Sequence, residues 1–237
     1  MKHIPRYTEE KRQEECVMFA EVNGISLYYE EIGTGRPLLM VHGNGEDHTI
    51  FLEAAEVLSR EYCVILIDSR SHGKSTGTSE LHYQDMADDL SAFLIQKDLR
   101  DVIFYGFSDG GIIGLLLAQH NDRITDLVVS GANLTPEGVI QPARSLICFS
   151  AWATRDPKMI LMTKEPQIST SELSCISART LVLAGDHDLV CINETTQIAQ
   201  SIPGAELRLL QGEDHGSYIV HSRKIAWILS AWLKQSV

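Results

Sequence analysis

The 237-residue chain lacks an apolar run long enough to cross a bilayer, and residues 1–15 are too polar for the core of a signal peptide. Basic residues are also scarce, because 20 Lys and Arg face 32 Asp and Glu and leave a formal net charge of −12. Phosphate binding needs a basic face, so this balance argues against a nucleic-acid partner. We therefore expect a cytoplasmic protein with no membrane span that acts on a small molecule.

Cysteines are few and show no pairing pattern. The five are scattered, odd in number and without a C-x-x-C pair, which predicts reduced, mostly buried thiols. Internal repeats and low-complexity tracts are missing as well. With 44% hydrophobic and 22% charged residues, the composition is typical of one globular domain over 1–237. The oligomeric state is left open.

Short apolar runs alternate with segments of helical character along most of the chain. Asn23-Gly24 separates two β-prone runs and is a strong hairpin signal. The alternation that follows predicts an α/β fold, a doubly wound and mostly parallel sheet with an N-terminal antiparallel hairpin. The predicted strands span 17–22, 25–30, 38–41, 64–67, 102–105, 127–129, 181–184 and 206–210. The predicted helices span 49–60, 82–97, 111–120, 192–201 and 217–233.

Two segments depart from this alternation. Residues 1–15 are a polar lead segment, and residues 135–172 interrupt the rhythm with helix-prone pieces at 145–153 and 156–164. Long insertions between core elements are often functional. We expect a short helical lid at 135–172, with an ordinary pair of packing helices as the alternative.

Ser108 lies in Gly106-Phe107-Ser108-Asp109-Gly110, between a β-prone run and a helix-compatible run. Glycines on both sides allow a tight strand-to-helix turn, because they have no Cβ to clash. Such a turn raises the serine hydroxyl above the sheet edge, with helix N-terminal amides beneath it. The motif predicts a nucleophile, although a purely structural glycine turn has the same signature.

A serine nucleophile needs a base, an acid that orients the base, and an oxyanion hole. In doubly wound sheets ligands bind at the carboxyl ends of the strands, so these groups are expected in the loops that follow the strands. His215 follows the last predicted strand on a glycine-containing loop and is the predicted base. Asp186 and Asp188 follow the strand at 181–184, and either could orient the histidine. The order serine, aspartate, histidine is the one associated with the triad of this fold.

The predicted oxyanion hole comes from two loops. Asn44 lies in a glycine-rich loop, His42-Gly43-Asn44-Gly45, directly after the strand at 38–41. Its backbone N–H and that of Asp109, next to the nucleophile, are the predicted donors. His42 is interpreted as a residue that braces the loop rather than as a base.

Two other motifs are interpreted as structural. The run 68–75 ends like a phosphate loop, but Asp68 stands where that loop requires glycine, so phosphate binding is rejected. Asp68 and Arg70 are expected to brace their loop by charge-assisted bonds. The run 186–188, Asp-His-Asp, is not expected to bind metal, because consecutive residues seldom converge on one ion.

Together these motifs resemble the α/β-hydrolase fold superfamily, in particular its small serine esterases and lipases. The resemblance covers about 17–235 and implies a Ser108 nucleophile, a covalent acyl intermediate and no cofactor. The usual position of the family acid, three residues after the glycine, selects Asp188. The chain departs from the family where glycine is usual, at Ser71, and where proline is frequent, at Arg179. The segment between Ser108 and Asp188 is short, which suggests an open or shallow site.

The expected reaction is hydrolysis of a small carboxylic ester through an acyl-enzyme. One alternative is carbon–carbon bond hydrolysis or cofactor-free perhydrolysis on the same triad. Another is an aminopeptidase, or an aminoacyl-ester hydrolase in which Asp109 contacts the amine of the substrate. The third is a non-enzymatic ligand receptor on the hydrolase scaffold. Apolar residues of the insertion could line an acyl pocket, or form the core of the insertion instead. The predicted pocket residues are Phe149, Trp152, Met159 and Met162, with Leu146, Ile147 and Ile160 as neighbours.

Overall fold

The apolar runs of the sequence become the strands of one eight-stranded sheet. The computed structural model describes residues 18–235, and the predicted lead segment 1–15 lies outside them. The strands are β1 Met18–Val22, β2 Ile25–Ile32, β3 Arg36–Val41, β4 Tyr62–Ile67, β5 Val102–Phe107, β6 Ile124–Ser130, β7 Arg179–His187 and β8 Glu206–Asp214.

The strand order is β1-β2-β4-β3-β5-β6-β7-β8. β1 pairs antiparallel with β2, as the Asn23-Gly24 hairpin predicts, and β2 pairs antiparallel with β4. Every other neighbouring pair is parallel, from β4 and β3 through to β7 and β8. The doubly wound, mostly parallel sheet with an N-terminal hairpin is confirmed.

Helices cover both faces of the sheet. They are α1 Leu52–Leu58, α2 Tyr83–Gln96, α3 Asp109–Ala118, α4 Ala143–Thr154, α5 Pro157–Lys164, α6 Thr170–Leu173, α7 Ile192–Ser201 and α8 Lys224–Leu233. In β4, Ile65 and Ile67 face the core shared with α2, α3 and α7, whereas Val64 and Leu66 face the core shared with α1 and α8. Strands buried on both faces explain the nearly continuous apolar runs.

The last helix is shorter than the prediction of 217–233. α8 begins at Lys224, and the preceding residues form turns. Tyr218 and Ile219 are nevertheless fully buried, which produces a helix-like apolar spacing without a helix. His221 has a φ of 49°, a left-handed conformation that interrupts a right-handed helix.

The insertion at 135–172 lies between β6 and β7 and carries α4, α5 and the start of α6. The helices α4 and α5 pack against each other, and α5 also contacts the 3₁₀ turn Pro136–Gly138. Leu161 of α5 joins the core on the side of α2 and α3. Across residues 18–235, no helix is long and apolar enough to cross a membrane.

The expectation that the cysteines are mostly buried is wrong for the four within 18–235. They are free, but Cys148 and Cys175 are exposed, and Cys63 and Cys191 are half-buried. Cys148 lies on α4, a helix of which only Ala151 is buried.

Both departures from the family pattern have a structural explanation. Ser71 has a φ of 63°, the conformation that favours glycine, and its hydroxyl accepts a bond of 2.8 Å from the Thr78 N–H. Arg179 donates to the buried Asp126 carboxylate at 2.7 Å and lies 4.0 Å over the ring of Trp232. The arginine therefore ties β7 to β6 and to α8.

Candidate active site

Ser108 occupies a sharp turn between the end of β5 and the start of α3. Its φ of 53° and ψ of −115° lie outside the regions that side chains favour. The turn closes tightly, since a Cβ on Gly106 would lie 2.1 Å from the Gly110 oxygen and one on Gly110 would lie 2.1 Å from the Val41 oxygen. Both flanking glycines are therefore required by space, and the serine is presented at the carboxyl edge of the sheet.

The structure brings Ser108, His215 and Asp188 into one hydrogen-bonded row. His215 Nε2 lies 3.1 Å from Ser108 Oγ, and His215 Nδ1 lies 2.6 Å from Asp188 Oδ1. The imidazole passes close to Gly131, where a Cβ would come within 2.7 Å of its Cε1 atom. The ring of Phe107 packs against the imidazole at a centroid distance of 5.0 Å.

Of the two acids at the carboxyl end of β7, Asp186 and Asp188, only Asp188 faces the histidine. It is buried, and its Oδ1 also accepts the Val190 N–H at 2.9 Å, which fixes the carboxylate. Asp186 points elsewhere: its Oδ1 accepts the Gly212 N–H at 2.8 Å and pairs with His187 at 2.8 Å. The orientation of Asp188 suits an acid that holds His215 Nδ1 as a donor.

The loop after β3 is held by a buried histidine. Nδ1 of His42 lies 2.8 Å from the Gly43 oxygen, and Nε2 accepts the Ser69 N–H at 3.1 Å. Burial lowers the pKa of His42 to about 4, so the ring stays neutral and keeps this donor–acceptor arrangement. His42 thus occupies the bracing position that the sequence predicts for it.

The position of Asn44 next to Ser108 is set by its side chain. Its Nδ2 donates to Asp109 Oδ2 at 2.9 Å and to the Lys158 oxygen at 3.2 Å. The Asp109 carboxylate is buried and also accepts the Tyr83 hydroxyl at 2.8 Å. Burial raises the pKa of Asp109, although these two hydrogen bonds act in the opposite direction. The carboxylate is thus buried, and each of its two oxygens already accepts one hydrogen bond from the protein.

Glu46 is a site residue that the sequence reasoning missed. Its Oε2 accepts the Gly43 N–H at 3.0 Å, and it lines the same cavity as Ser108 and His215. A Cβ on Gly43 would lie 2.8 Å from Glu46 Oε2 and 3.1 Å from Ser108 Cβ, so carboxylate and nucleophile flank one small space. Glu46 could have been predicted from its position, because it stands two residues after Asn44, at the end of the glycine-rich loop.

A cavity of about 270 Å³ opens beside Ser108. Its lining combines the loop after β3 and the triad with apolar side chains of the insertion and of Leu189. The lining residues are Gly43, Asn44, Glu46, Phe107, Ser108, Ile147, Met159, Met162, Leu189 and His215.

Two of the predicted pocket residues do not reach this cavity. Phe149 and Trp152 are 63% and 68% exposed on α4, and their rings lie against each other at 5.9 Å. Residues four apart share a helix face, so Ile147 lies on the inner face with the buried Ala151. Phe149 and Trp152, like Leu146, fall on the opposite face. Of the predicted residues, Met159 and Met162 line the cavity.

A model of the alpha/beta hydrolase fold family matches residues 36–152. A putative non-heme chloroperoxidase from Synechocystis sp. is 30% identical over 265 residues, which cover 89% of this chain and 95% of that one. The chain belongs to the α/β-hydrolase fold family. The family resemblance stated from the motifs is thereby confirmed, and the chain is an enzyme of the hydrolase type.

This α/β-hydrolase is also similar to a relative over part of its sequence and to a solved structure over its fold. The AB hydrolase superfamily protein YisY of Bacillus subtilis is 33% identical over 108 residues, 44% of this chain and 40% of its own length. The enol-lactonase from Burkholderia xenovorans LB400 superposes with a TM-score of 0.77 at 20% identity, over 92% of this chain and 100% of that one. At this identity the superposition shows the fold alone.

A separate acid–histidine cluster in the described part of the α/β-hydrolase has the spacing of metal ligands. Side-chain atoms of Asp47, His48 and Asp68 lie within 4.8 Å of one another. However, Nδ1 of His48 bonds Asp68 at 2.7 Å and Nε2 faces Glu30 at 3.1 Å. Burial lowers the pKa of His48, but the bond to Asp68 and the charges of both carboxylates outweigh it and raise the pKa. Both ring nitrogens of His48 are thus engaged by carboxylates of the chain itself.

Proposed function

We propose that the protein is a serine hydrolase that cleaves small carboxylic esters through an acyl-enzyme formed on Ser108. The observation that carries this proposal is the row Ser108 Oγ, His215 Nε2, His215 Nδ1, Asp188 Oδ1, with separations of 3.1 Å and 2.6 Å at its two hydrogen bonds. Nucleophile, base and orienting acid have the geometry that activation of a serine hydroxyl requires.

In the first half-reaction His215 Nε2 takes the hydroxyl proton while Ser108 Oγ attacks the carbonyl carbon. Asp188 keeps His215 in the tautomer that accepts at Nε2 and stabilises the imidazolium. The backbone N–H groups of Asn44 and Asp109 are proposed to donate to the oxyanion, each contributing about 3 kcal/mol. As the ester C–O bond breaks, His215 returns the proton to the leaving alcohol.

In the second half-reaction water attacks the acyl group on Ser108. His215 takes a proton from the water, the acid is released, and the proton returns to Ser108 Oγ. The apolar side chains of Ile147, Met159 and Met162 are proposed to receive the acyl group, which makes the insertion 135–172 a short lid over the site. A cytoplasmic location and the absence of a cofactor remain predictions.

A second candidate activity is perhydrolysis. The 30% identical relative, over 95% of its length, carries the name putative non-heme chloroperoxidase. On the same triad, hydrogen peroxide would replace water in the second half-reaction and release a peracid. This activity shares Ser108 and the acyl-enzyme with ester hydrolysis, and the two differ only in the acceptor of the acyl group.

The test is intact mass after treatment with a fluorophosphonate, together with turnover of p-nitrophenyl esters of increasing acyl length. We expect one adduct on the wild type, none on Ser108→Ala, and a maximum of turnover at a short or medium acyl length. An adduct that survives the substitution, or wild-type turnover that persists in it, contradicts the proposal. Turnover of the best ester with and without hydrogen peroxide, followed by oxidation of chloride or bromide, separates the two acceptors.

A further inference from the structure

One ionisable side chain in the cavity has no part in the proposed mechanism, and that side chain is Glu46. The hydrogen bonds of the described residues engage only its Oε2 atom, which accepts the Gly43 N–H at 3.0 Å. The Glu46 carboxylate and Ser108 lie on either side of Gly43, because a Cβ on Gly43 would contact both Glu46 Oε2 and Ser108 Cβ. The Glu46 carboxylate is therefore close to Ser108, on which the proposed acyl-enzyme forms.

The charge of Glu46 is not balanced within the cavity. Apart from the base His215, the lining residues of the described chain include no basic side chain, and Ile147, Met159, Met162 and Leu189 supply apolar walls. Burial raises the pKa of Glu46, while the Gly43 N–H and the proximity of His215 lower it. Apolar walls lower the local dielectric, so a substrate charge is felt more strongly here than in water.

The side chain of Asn44, which lines the same cavity, is already engaged by the protein. Its Nδ2 donates to Asp109 and to the Lys158 oxygen, and its Oδ1 is enclosed, with no hydrogen-bond partner among residues 18–235. Among the lining residues the Glu46 carboxylate is therefore the charged acceptor, and apart from the base His215 no cationic side chain lies there to meet an anion.

We propose that Glu46 makes the site selective for esters whose acyl part carries an ammonium or another hydrogen-bond donor close to the scissile carbonyl. The same carboxylate disfavours acyl groups that end in a carboxylate, since like charges in a cavity of this kind repel. This inference rests on the proposed ester hydrolysis at Ser108. It assigns the recognition of a cationic acyl group to Glu46 and not to Asp109, whose two oxygens already accept from Asn44 and Tyr83.

The competing role for Glu46 is purely structural. Its bond to the Gly43 N–H helps to hold the loop that carries the Asn44 N–H. The variant Glu46→Gln separates the two roles, because the amide oxygen can still accept from Gly43 while the negative charge is gone. A structural role changes all substrates together, whereas a selective role changes their ratio.

The experiment compares three benzyl esters of similar acyl length: butyrate, β-alanine and the monoester of succinate. They present a methyl, an ammonium and a carboxylate at the end of the acyl chain. Released benzyl alcohol gives kcat/KM for each ester with the wild type and with Glu46→Gln. The readout is the ratio between esters within one variant, so a general change in activity cancels.

We expect the wild type to prefer the β-alanine ester over the butyrate ester about tenfold and to disfavour the succinate ester by a similar factor. In Glu46→Gln these ratios should fall to within about threefold of unity. The matched control Glu53→Gln removes the same charge from α1, where Glu53 is partly exposed and pairs with His221, and should keep the wild-type ratios.

Equal kcat/KM for the three esters in the wild type, or ratios that survive in Glu46→Gln, overturns the inference while ester hydrolysis stands. The rate at which a neutral and an ammonium-bearing fluorophosphonate of equal length modify Ser108 gives the same comparison without turnover. If neither probe modifies Ser108 and benzyl butyrate is not cleaved, the proposed function itself has failed, and the inference with it.

Discussion

The backbone strain at Ser108 leads to a prediction about stability. Its φ of 53° and ψ of −115° are accessible to glycine but unfavourable for a residue with a Cβ. Strain of this kind costs about 1–3 kcal/mol. We expect Ser108→Gly to unfold with a free energy about 1–2 kcal/mol higher than that of Ser108→Ala. The hydrogen bond to His215 is lost in both variants and cancels in the comparison.

This order is the reverse of the usual one, since glycine generally costs about 0.5–1 kcal/mol relative to alanine in regular structure. A control pair at Ser91 in α2, a helical position, should show the usual order. Urea unfolding followed by circular dichroism gives the free energies, and each kcal/mol should shift Tm by about 2–4 °C for a chain of this size. An alanine variant as stable as the glycine variant, or more stable, would refute the strain argument.

The remaining predictions concern the orienting acid, the turn around the nucleophile and the acid–histidine cluster that contains His48. Asp188→Asn should reduce kcat by about 10⁴-fold through loss of the correct histidine tautomer, a magnitude taken from a known serine protease triad. Asp186→Asn, measured on the same ester, should stay near the wild type, and an equal loss in both would contradict the assignment. Gly110→Ala should lower the free energy of unfolding by more than about 3 kcal/mol or prevent folding, because its Cβ would lie 2.1 Å from a backbone oxygen. The control Gly77→Ala has room for a Cβ and should unfold in urea like the wild type. Because the pKa of His48 is raised above 6.5, its ion pairs stabilise fully below that pH and are lost as pH rises through the folded-state pKa. The wild type should therefore lose more unfolding free energy between pH 6.5 and pH 9 than His48→Gln, as urea titrations at each pH will show.

The strands could be predicted because a buried strand is a run of apolar residues, which is visible in the sequence. A run such as Val64–Ile67 is apolar at every position, since both of its faces are covered by helices. The last helix could not be bounded in the same way. Tyr218 and Ile219 are as apolar as helix residues but lie in turns, and periodicity records burial rather than backbone conformation.

Some residues of the candidate site could be predicted from the sequence and others could not. Ser108, Asp188 and His215 could be located because each follows a predicted strand, and the parallel topology brings the ends of those strands to one edge. The pocket residues of α4 could not, because that helix is apolar on two faces, and sequence alone does not say which face meets the core. Phe149 and Trp152 are large and apolar yet exposed. Glu46 escaped prediction because a charged residue in a loop is usually solvated.

The side chain of Asn44 has a consequence for how the enzyme could be altered by evolution or by engineering. Its amide group joins Asp109, at the start of α3, to the Lys158 oxygen on α5. The helices that would receive the acyl group are thus mechanically coupled to the residue proposed to stabilise the transition state. Exchanging α4 and α5 for helices from another enzyme should therefore alter turnover as well as substrate range, unless a carbonyl oxygen is kept at the position of Lys158.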